Sequence, residues 1–442
     1  MDTQFGSPDA PPSKLGAANI SREARPFHLG LDMSRRTGTA CLLDHLGQAV
    51  VPRWNFPNNQ PGAEEVAQKV AKLLKIHGST RILVGMEATG IYGWHLACFL
   101  SGTYLLRPWG VQVYVLNPNR TLNFKKALGD MGKTDRVDAL VVAQWLRIGH
   151  LPTPFAIDSV YGPLQRLTRF RYHLSQSLTR EKLHALGILS LVFSELQIAS
   201  PFQDPFGSTS QAVLSDFSLD ELATKPLEEL TSYLAQKGHG RLVKPEEVAR
   251  TLQRAAKDSY RLDTLQNNAL RLVLSVALTN IRALSRHMDD LGTSIKQELK
   301  AIPLSICLLS VPGLGPVYVA GLLAEIQDIH RFPNHAALAK FAGLTWRSHQ
   351  SGDFTAEETP LTKSGNSYLR YYLVEAANSV RVLEPEYRAY YQAKYAEATK
   401  HHHKRAVVLT ARKLVRLVDA LLRDAQLYLP SEQRHRRSST MA

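Results

Sequence analysis

Cysteine is scarce in this chain. Three in 442 residues, Cys41, Cys98 and Cys307, are scattered without a Cys-x-x-Cys spacing, which excludes a disulfide framework and a structural zinc site and suits a reducing cytosol with the thiols in the core. Also missing is any apolar run long enough to span a bilayer, and the first residues lack the basic-then-apolar form of a signal peptide. A soluble, intracellular protein without a membrane partner is expected. Acidic residues are in deficit, 39 against 53 Lys and Arg, for a net charge of +14 and a pI near 9.6. That balance favours a polyanionic partner, and with no amphipathic basic helix standing out as a membrane binder, nucleic acid leads.

At this length two or three domains are expected, and a hydrophobic content of 44% is enough to give them cores. Residues 1–26 carry Pro, Ser, Gly and Ala without an apolar period, the composition of a tail that cannot offset its ordering entropy. From Phe27 the pattern turns β-like over His28 to Met33, Thr37 to Leu43 and Ala49 to Phe56, with Asp44-His45-Leu46-Gly47 as a hairpin turn. A helix from about Ala63 to Ile76, a strand from Arg81 ending at Glu87, a helix through Trp94 to Leu100 and a strand from Val111 to Leu116 follow. The stretch Gly132-Lys133-Thr134-Asp135-Arg136-Val137-Asp138-Ala139-Leu140 then leads a helix to about Ile148. The order βββαβαβα predicts an α/β domain over 27–157, with a mixed sheet flanked by helices.

In that order three acidic points converge at the carboxyl ends of strands, where sites of open α/β sheets gather. Asp32 ends the first strand, Glu87 ends the strand beside it, and Asp135 and Asp138 share one helix face because positions i and i+3 are neighbours. Taken alone, the last pair reads as a solvated helix start beside Lys133 and Arg136 rather than as a site.

The remainder reads as mostly helical. A basic helix over about Gly162 to Glu195, with Leu164, Leu167, Leu174, Leu178 and Ala185 on one side, is either a coiled-coil arm or a helix packed on its own domain. A loop at about 200–210, helices over Leu219 to Leu234 and Pro245 to Ala256, and a long return helix over about Ser259 to Ile302 complete a helical region, 158–302, with an inserted segment. A third domain, 303–425, opens at Val311-Pro312-Gly313-Leu314-Gly315-Pro316. There Gly313 and Gly315 either offer backbone N–H groups to phosphates, as helix-hairpin-helix turns do, or form a tight packing turn. Further on come Arg347, the Ser-Gly elements at Ser351 and in Lys363-Ser364-Gly365-Asn366, and Arg370. The tract His401-His402-His403-Lys404-Arg405, lacking Cys, Asp or Glu at ligand spacing, reads as a solvated basic helix start. Residues 426–442 form a basic tail.

Asp32, Glu87 within Gly85-Met86-Glu87-Ala88-Thr89-Gly90, the Lys-Thr-Asp-x-x-Asp-Ala run at 133–139, and the later Pro-Gly-Leu-Gly-Pro and Ser-Gly elements together resemble the DEDD transposases of bacterial insertion sequences, described as bridge-RNA-guided recombinases. The resemblance covers about Phe27 to Arg423. It implies an RNase H/RuvC-like catalytic domain, a coiled-coil dimerisation arm and a C-terminal transposase domain carrying a serine. The family's acid tetrad falls on Asp32, Glu87, Asp135 and Asp138, binding Mg²⁺ with Mn²⁺ as a substitute, and its nucleophile on Ser351. Where many members read Ser-Ser-Gly-Gly, this chain has Gln350-Ser351-Gly352-Asp353. The implied partners are DNA, at element ends and target, a non-coding guide RNA, and further copies of the chain, as a dimer or as a tetramer in the synapse. Lys133, Arg136, Gly313, Gly315, Arg347, Lys363 and Arg370 are the candidate nucleic-acid contacts, and a cytoplasmic, nucleoid-associated place in a bacterium follows. Two rivals use the same residues differently: a resolvase-type nuclease working with the four acids and water, and an inert nucleic-acid-binding protein. An actin-like or sugar-kinase ATPase, suggested by Gly30-Leu31-Asp32, lacks the second glycine-rich phosphate motif it needs.

Overall fold

The computed structural model describes residues 25–88, 91–129, 135–148, 151–152, 154–155, 160–199, 201–346, 350–351, 354–355 and 361–430, with backbone alone at 135–136, 350–351 and 354–355. The chain divides into two compact units, Met1–Ser159 and Val160–Ala442. In the first, strands β1 (Pro26–Met33), β2 (Thr37–Leu43) and β3 (Ala49–Pro57) lead through helix α1 (Gln60–Ile76) to β4 (Arg81–Glu87), α2 (Trp94–Gly102), β5 (Gln112–Leu116), α3 (Pro118–Ala127) and α4 (Asp135–Ile148). The sheet order is β3-β2-β1-β4-β5, with β1–β2 and β2–β3 antiparallel and β1–β4 and β4–β5 parallel. This is the mixed sheet the strand pattern predicts, since hairpins need only short turns while parallel pairs need helical crossovers. Expected and observed ends differ where capping decides. Asn59 accepts the amide of Gly62 at 3.0 Å and starts α1 three residues before Ala63.

Alternation along the strands sorts the two faces. Leu29, Leu31, Val84 and Met86 turn to the side filled by Val66, Val70 and Leu74 of α1 and Leu96 and Leu100 of α2. The opposite face carries Gly30, Cys41, Leu43, Leu83 and Gly85, and α4 lies on it through Ala139, Ala143 and Leu146. The approach at β1 is close: a Cβ on Gly30 would stand 2.0 Å from the Ala139 carbonyl oxygen and 2.5 Å from the Ala143 nitrogen. No residue but glycine fits there.

In the second unit, α5 (Tyr161–Val192) is followed by α6 (Ser208–Asp216), α7 (Leu219–Thr224), α8 (Leu227–Gly238), α9 (Pro245–Asp258) and α10 (Thr264–Leu299). The expected 219–234 helix is two helices, because Pro226 cannot continue the first and opens the second. The return helix starts at Thr264 rather than Ser259, where the Asp263 side chain accepts from the amides of Leu265 and Gln266. α5 and α10 run antiparallel. Leu164 shares one core with Ile295 and Leu299, while Ala185 and Leu189 share another with Leu274, Leu278 and Ile281. The α5 stripe is thus buried within its own unit, and α6 to α9 close over its far end.

The near end holds α11 (Ser305–Leu309), α12 (Pro316–Ile326), α13 (His335–Ala342), a short pair β6 (Gln350–Ser351) and β7 (Phe354–Thr355), α14 (Ser367–Leu383), α15 (Pro385–Ala396) and α16 (His402–Arg423). Its organising node is Glu325, 2% exposed at the end of α12. Arg169 of α5 grips it bidentately at 2.7 and 2.8 Å, and the Asn366 amide donates at 2.6 Å. Nearby, the Tyr372 hydroxyl donates to the Thr168 carbonyl at 2.7 Å while its ring lies against Gly321. Among the described residues no helix is long and apolar enough to cross a membrane.

Candidate active site

The register of β1 on β4 runs through Gly30↔Gly85 and Leu31↔Met86. The next residues are Asp32 and Glu87, which alternation turns toward the face carrying Gly30 and Gly85, the face that α4 covers. α4 runs from this carboxyl end of β1 back toward the β2–β3 turn, where Arg147 meets Gly47. Asp138, one residue before the Ala139 contact, therefore sits at the same end as Asp32. Asp135 begins the helix one turn earlier. Thr39, paired with Asp32 on β2, donates to Asn55 of β3 at 3.1 Å, extending a polar row across the sheet.

Two residues that sequence reasoning missed complete the arrangement, both on α3. Thr121, 1% exposed, donates a short hydrogen bond to Glu87, and the Lys125 ammonium lies 2.6 Å from the Asp138 carboxylate. Their i, i+4 spacing puts both on one face of α3, and Phe124 anchors that helix edge-on to Trp145 of α4, ring centroids 5.1 Å apart. The sequence pattern assigns no element between the strand at 111–116 and Gly132, whereas α3 occupies that stretch. The signal for a helix was Asn117-Pro118, a side-chain cap followed by proline in the first turn.

The donor set is made of carboxylate oxygens, the ligands hard divalent cations prefer, and the position of Lys125 shows that this end of the sheet calls for positive charge. Among the described residues no three His, Cys, Asp or Glu side chains are grouped closely enough to hold a metal; the Asp135 carboxylate lies outside them. Lys133 and Arg347 are also outside the described residues, as are the side chains of Arg136 and Ser351. The backbone of Ser351 is paired with Phe354.

Two other candidate contacts, Gly313 and Arg370, are engaged within the fold. Gly313 has φ +94°, and a Cβ there would stand 2.8 Å from the Val380 Cα, so the packing of this turn requires glycine. Gly315 caps α12 in open space. Arg370 donates from Nη1 to the carbonyls of Ala342 and Lys363 at 3.1 and 3.0 Å, bracing the turn before α14. Lys363 is exposed at φ +50°.

Residues 29–194 match the family model of IS110 DEDD transposases, and residues 306–392 match the model for transposases of the IS116/IS110/IS902 family. The chain belongs to the IS110 family of DEDD transposases. This transposase is 26% identical over 417 residues to the uncharacterized 43.6 kDa protein of insertion element IS110 from Streptomyces coelicolor, across 90% of this chain and 95% of that one. It is 26% identical over 383 residues to the uncharacterized 42 kDa protein of IS900 from Mycobacterium paratuberculosis, across 84% and 91%. The pilin gene-inverting protein of Moraxella bovis is 24% identical over 402 residues, across 90% and 96%. The transposase is thus an enzyme of DNA transposition and recombination, and its DEDD family implies a divalent metal.

Proposed function

We propose that this transposase cleaves and exchanges DNA strands at the ends of an insertion sequence, using Asp32, Glu87, Asp135 and Asp138 to hold Mg²⁺ and Ser351 as nucleophile, with sites chosen by a non-coding RNA. The observation that carries the reading is the register that makes Asp32 and Glu87 neighbours at one sheet end, with α4 bringing Asp138 to that end. The order β1β2β3α1β4α2β5, followed by α3 and α4, with acids at these points supports a RuvC-like reading. The bound cation would neutralise the scissile phosphate and the departing oxygen.

The chain's own residues do the rest. The Ser351 hydroxyl loses its proton and attacks phosphorus; the P–O bond to one deoxyribose oxygen breaks, and that oxygen leaves as a hydroxyl. A DNA phosphodiester is exchanged for a phosphoserine ester, which keeps the bond energy for rejoining. Thr121 orients Glu87, and Lys125 holds Asp138 until the cation takes its place. Supply of the serine by another subunit would tie cleavage to assembly, and exposed Leu265, Leu272 and Val276 along α10 form a seam at heptad spacing suited to a second copy. Sequence choice by base pairing leaves the protein to grip backbones, which fits a net charge of +14.

The test uses purified protein, Mg²⁺, duplex DNA carrying the element ends and RNA transcribed from the flanking segment. A covalent protein–DNA adduct should form with all components. It should vanish for Ser351→Ala, for Asp135→Asn with Asp138→Asn, and on omitting the RNA. Strand exchange with an adduct in Ser351→Ala would overturn the serine mechanism; cleavage without any adduct in the native chain would favour the water-using nuclease.

A further inference from the structure

α15 carries Tyr387, Tyr391 and Tyr395 at i, i+4 and i+8, with Tyr390 beside them. Tyr387 is buried against the core, whereas Tyr395 is 45% exposed. The outer rings are held by the start of α16: Tyr395 lies 5.1 Å from the His402 ring, tilted by 38°, and Tyr391 lies 6.0 Å from His403, whose Nδ1 shares a 2.8 Å hydrogen bond with the Tyr391 hydroxyl. His402 Nδ1 stands 2.9 Å from the Tyr395 carbonyl oxygen. Cations interleave with this ladder. Arg381 lies 4.2 Å over Tyr391, and Lys413 lies 4.8 Å over Tyr390.

The charge is one-sided. Residues 381–413 contain eight Lys and Arg against three Glu. Of the three, Glu384 is buried, Glu386 is committed to Lys413 at 2.9 Å and Glu397 to Lys394 at 2.7 Å. Packing α15 onto α16 requires Tyr387; it does not require a partly exposed ring clamped by a histidine, with His401, His403, Lys404 and Arg405 exposed around it. Rigid π-faces set in positive charge bind unpaired nucleotides, whose bases stack while their phosphates are neutralised; duplex DNA keeps its bases stacked inside. The family match ends at residue 392, so the histidine tract and α16 lie beyond it.

We propose that the tyrosine and histidine ladder of α15 and α16 is a docking surface for an unpaired segment of RNA. The choice of RNA rests on the RNA-guided reading above; the preference for unpaired bases rests on the ladder itself. The test is fluorescence anisotropy on the full chain with labelled single-stranded RNA of about 20 nucleotides, the matching single-stranded DNA, and duplex DNA. Tyr395→Ala and His402→Ala should each weaken RNA binding on the order of tenfold and leave duplex binding and the melting temperature unchanged, and Tyr395→Phe should bind as the native chain does. Native RNA affinity in both Ala variants would overturn the proposal, as would equal losses on RNA and duplex. A loss confined to single-stranded DNA would overturn the assignment to RNA. Failure of the native chain to prefer RNA over single-stranded DNA would instead remove the RNA-guided reading, an outcome distinct from any behaviour of the variants.

Discussion

At the scale of single residues, burial and charge make the sharpest demands. His28 sits on β1 at 3% exposure, and its Nδ1 has no hydrogen-bond partner among the described residues. Burial drives its pKa down from 6.5 to about 4, with the Arg147 charge helping and a backbone hydrogen bond involving Asp44 opposing. Between those two values the unfolded chain takes up a proton that the folded chain refuses. Stability is therefore complete above the unfolded value and declines as pH falls toward 4, by an amount on the order of 2–3 kcal/mol. Urea titrations at pH 7 and pH 4.5 should show this decline, and it should flatten in His28→Leu. Lys125 makes a different demand, since its ammonium and a divalent cation compete for Asp138. Lys125→Ala should cost about 1 kcal/mol without metal, and its melting temperature should rise more on adding Mg²⁺ than that of the native chain. An equal rise in both would show that Lys125 does not hold the place of a cation.

At the scale of elements, two contacts decide which helices can reach their places. The closeness of α4 to β1 depends on Gly30 facing Ala139 and Ala143. A single methyl at Gly30 must push α4 outward, costing about 1–3 kcal/mol by overpacking and drawing Asp138 away from Asp32. Gly30→Ala should thus lower the urea midpoint and abolish strand cleavage together; cleavage at the native rate would mean that α4 need not approach so closely. Glu325 does the same work for α5, α12 and the start of α14. Its two oxygens receive Arg169 and Asn366 while almost wholly shielded from water, so removing it leaves a guanidinium without its counter-charge. Because the Arg169 side chain is 40% exposed and water can partly solvate its charge, Glu325→Ala should destabilise by about 2–3 kcal/mol, read from chemical denaturation. Asn366→Ala, which removes one neutral donor and a helix cap, should cost less, about 1–2 kcal/mol.

At the scale of the whole molecule, a net charge of +14 makes DNA binding a salt-dependent quantity. If six to ten phosphates are neutralised, affinity for duplex DNA should fall by roughly 10³–10⁵ between 50 and 200 mM salt, and a salt-independent affinity would show that the charge is not the grip. The strand order, the α1 helix and the acidic ends of β1 and β4 were all legible in the linear chain, because they rest on alternation, 3.6-residue spacing and turn residues that act over a few positions. Legible too was the placement of Asp135 and Asp138 on one helix. What the chain read linearly missed was α3, whose cap is only the Asn117-Pro118 pair, and with it Thr121 and Lys125. It also left open whether α5 was an arm or a packed helix, and it did not show that Gly313 stands against Val380 or that Arg370 braces the turn before α14. Each of these turns on what stands opposite across tens or hundreds of residues of sequence. Local pattern determined which residues could form a strand, a helix or a carboxylate pair; only close packing in three dimensions decided which partner each would meet.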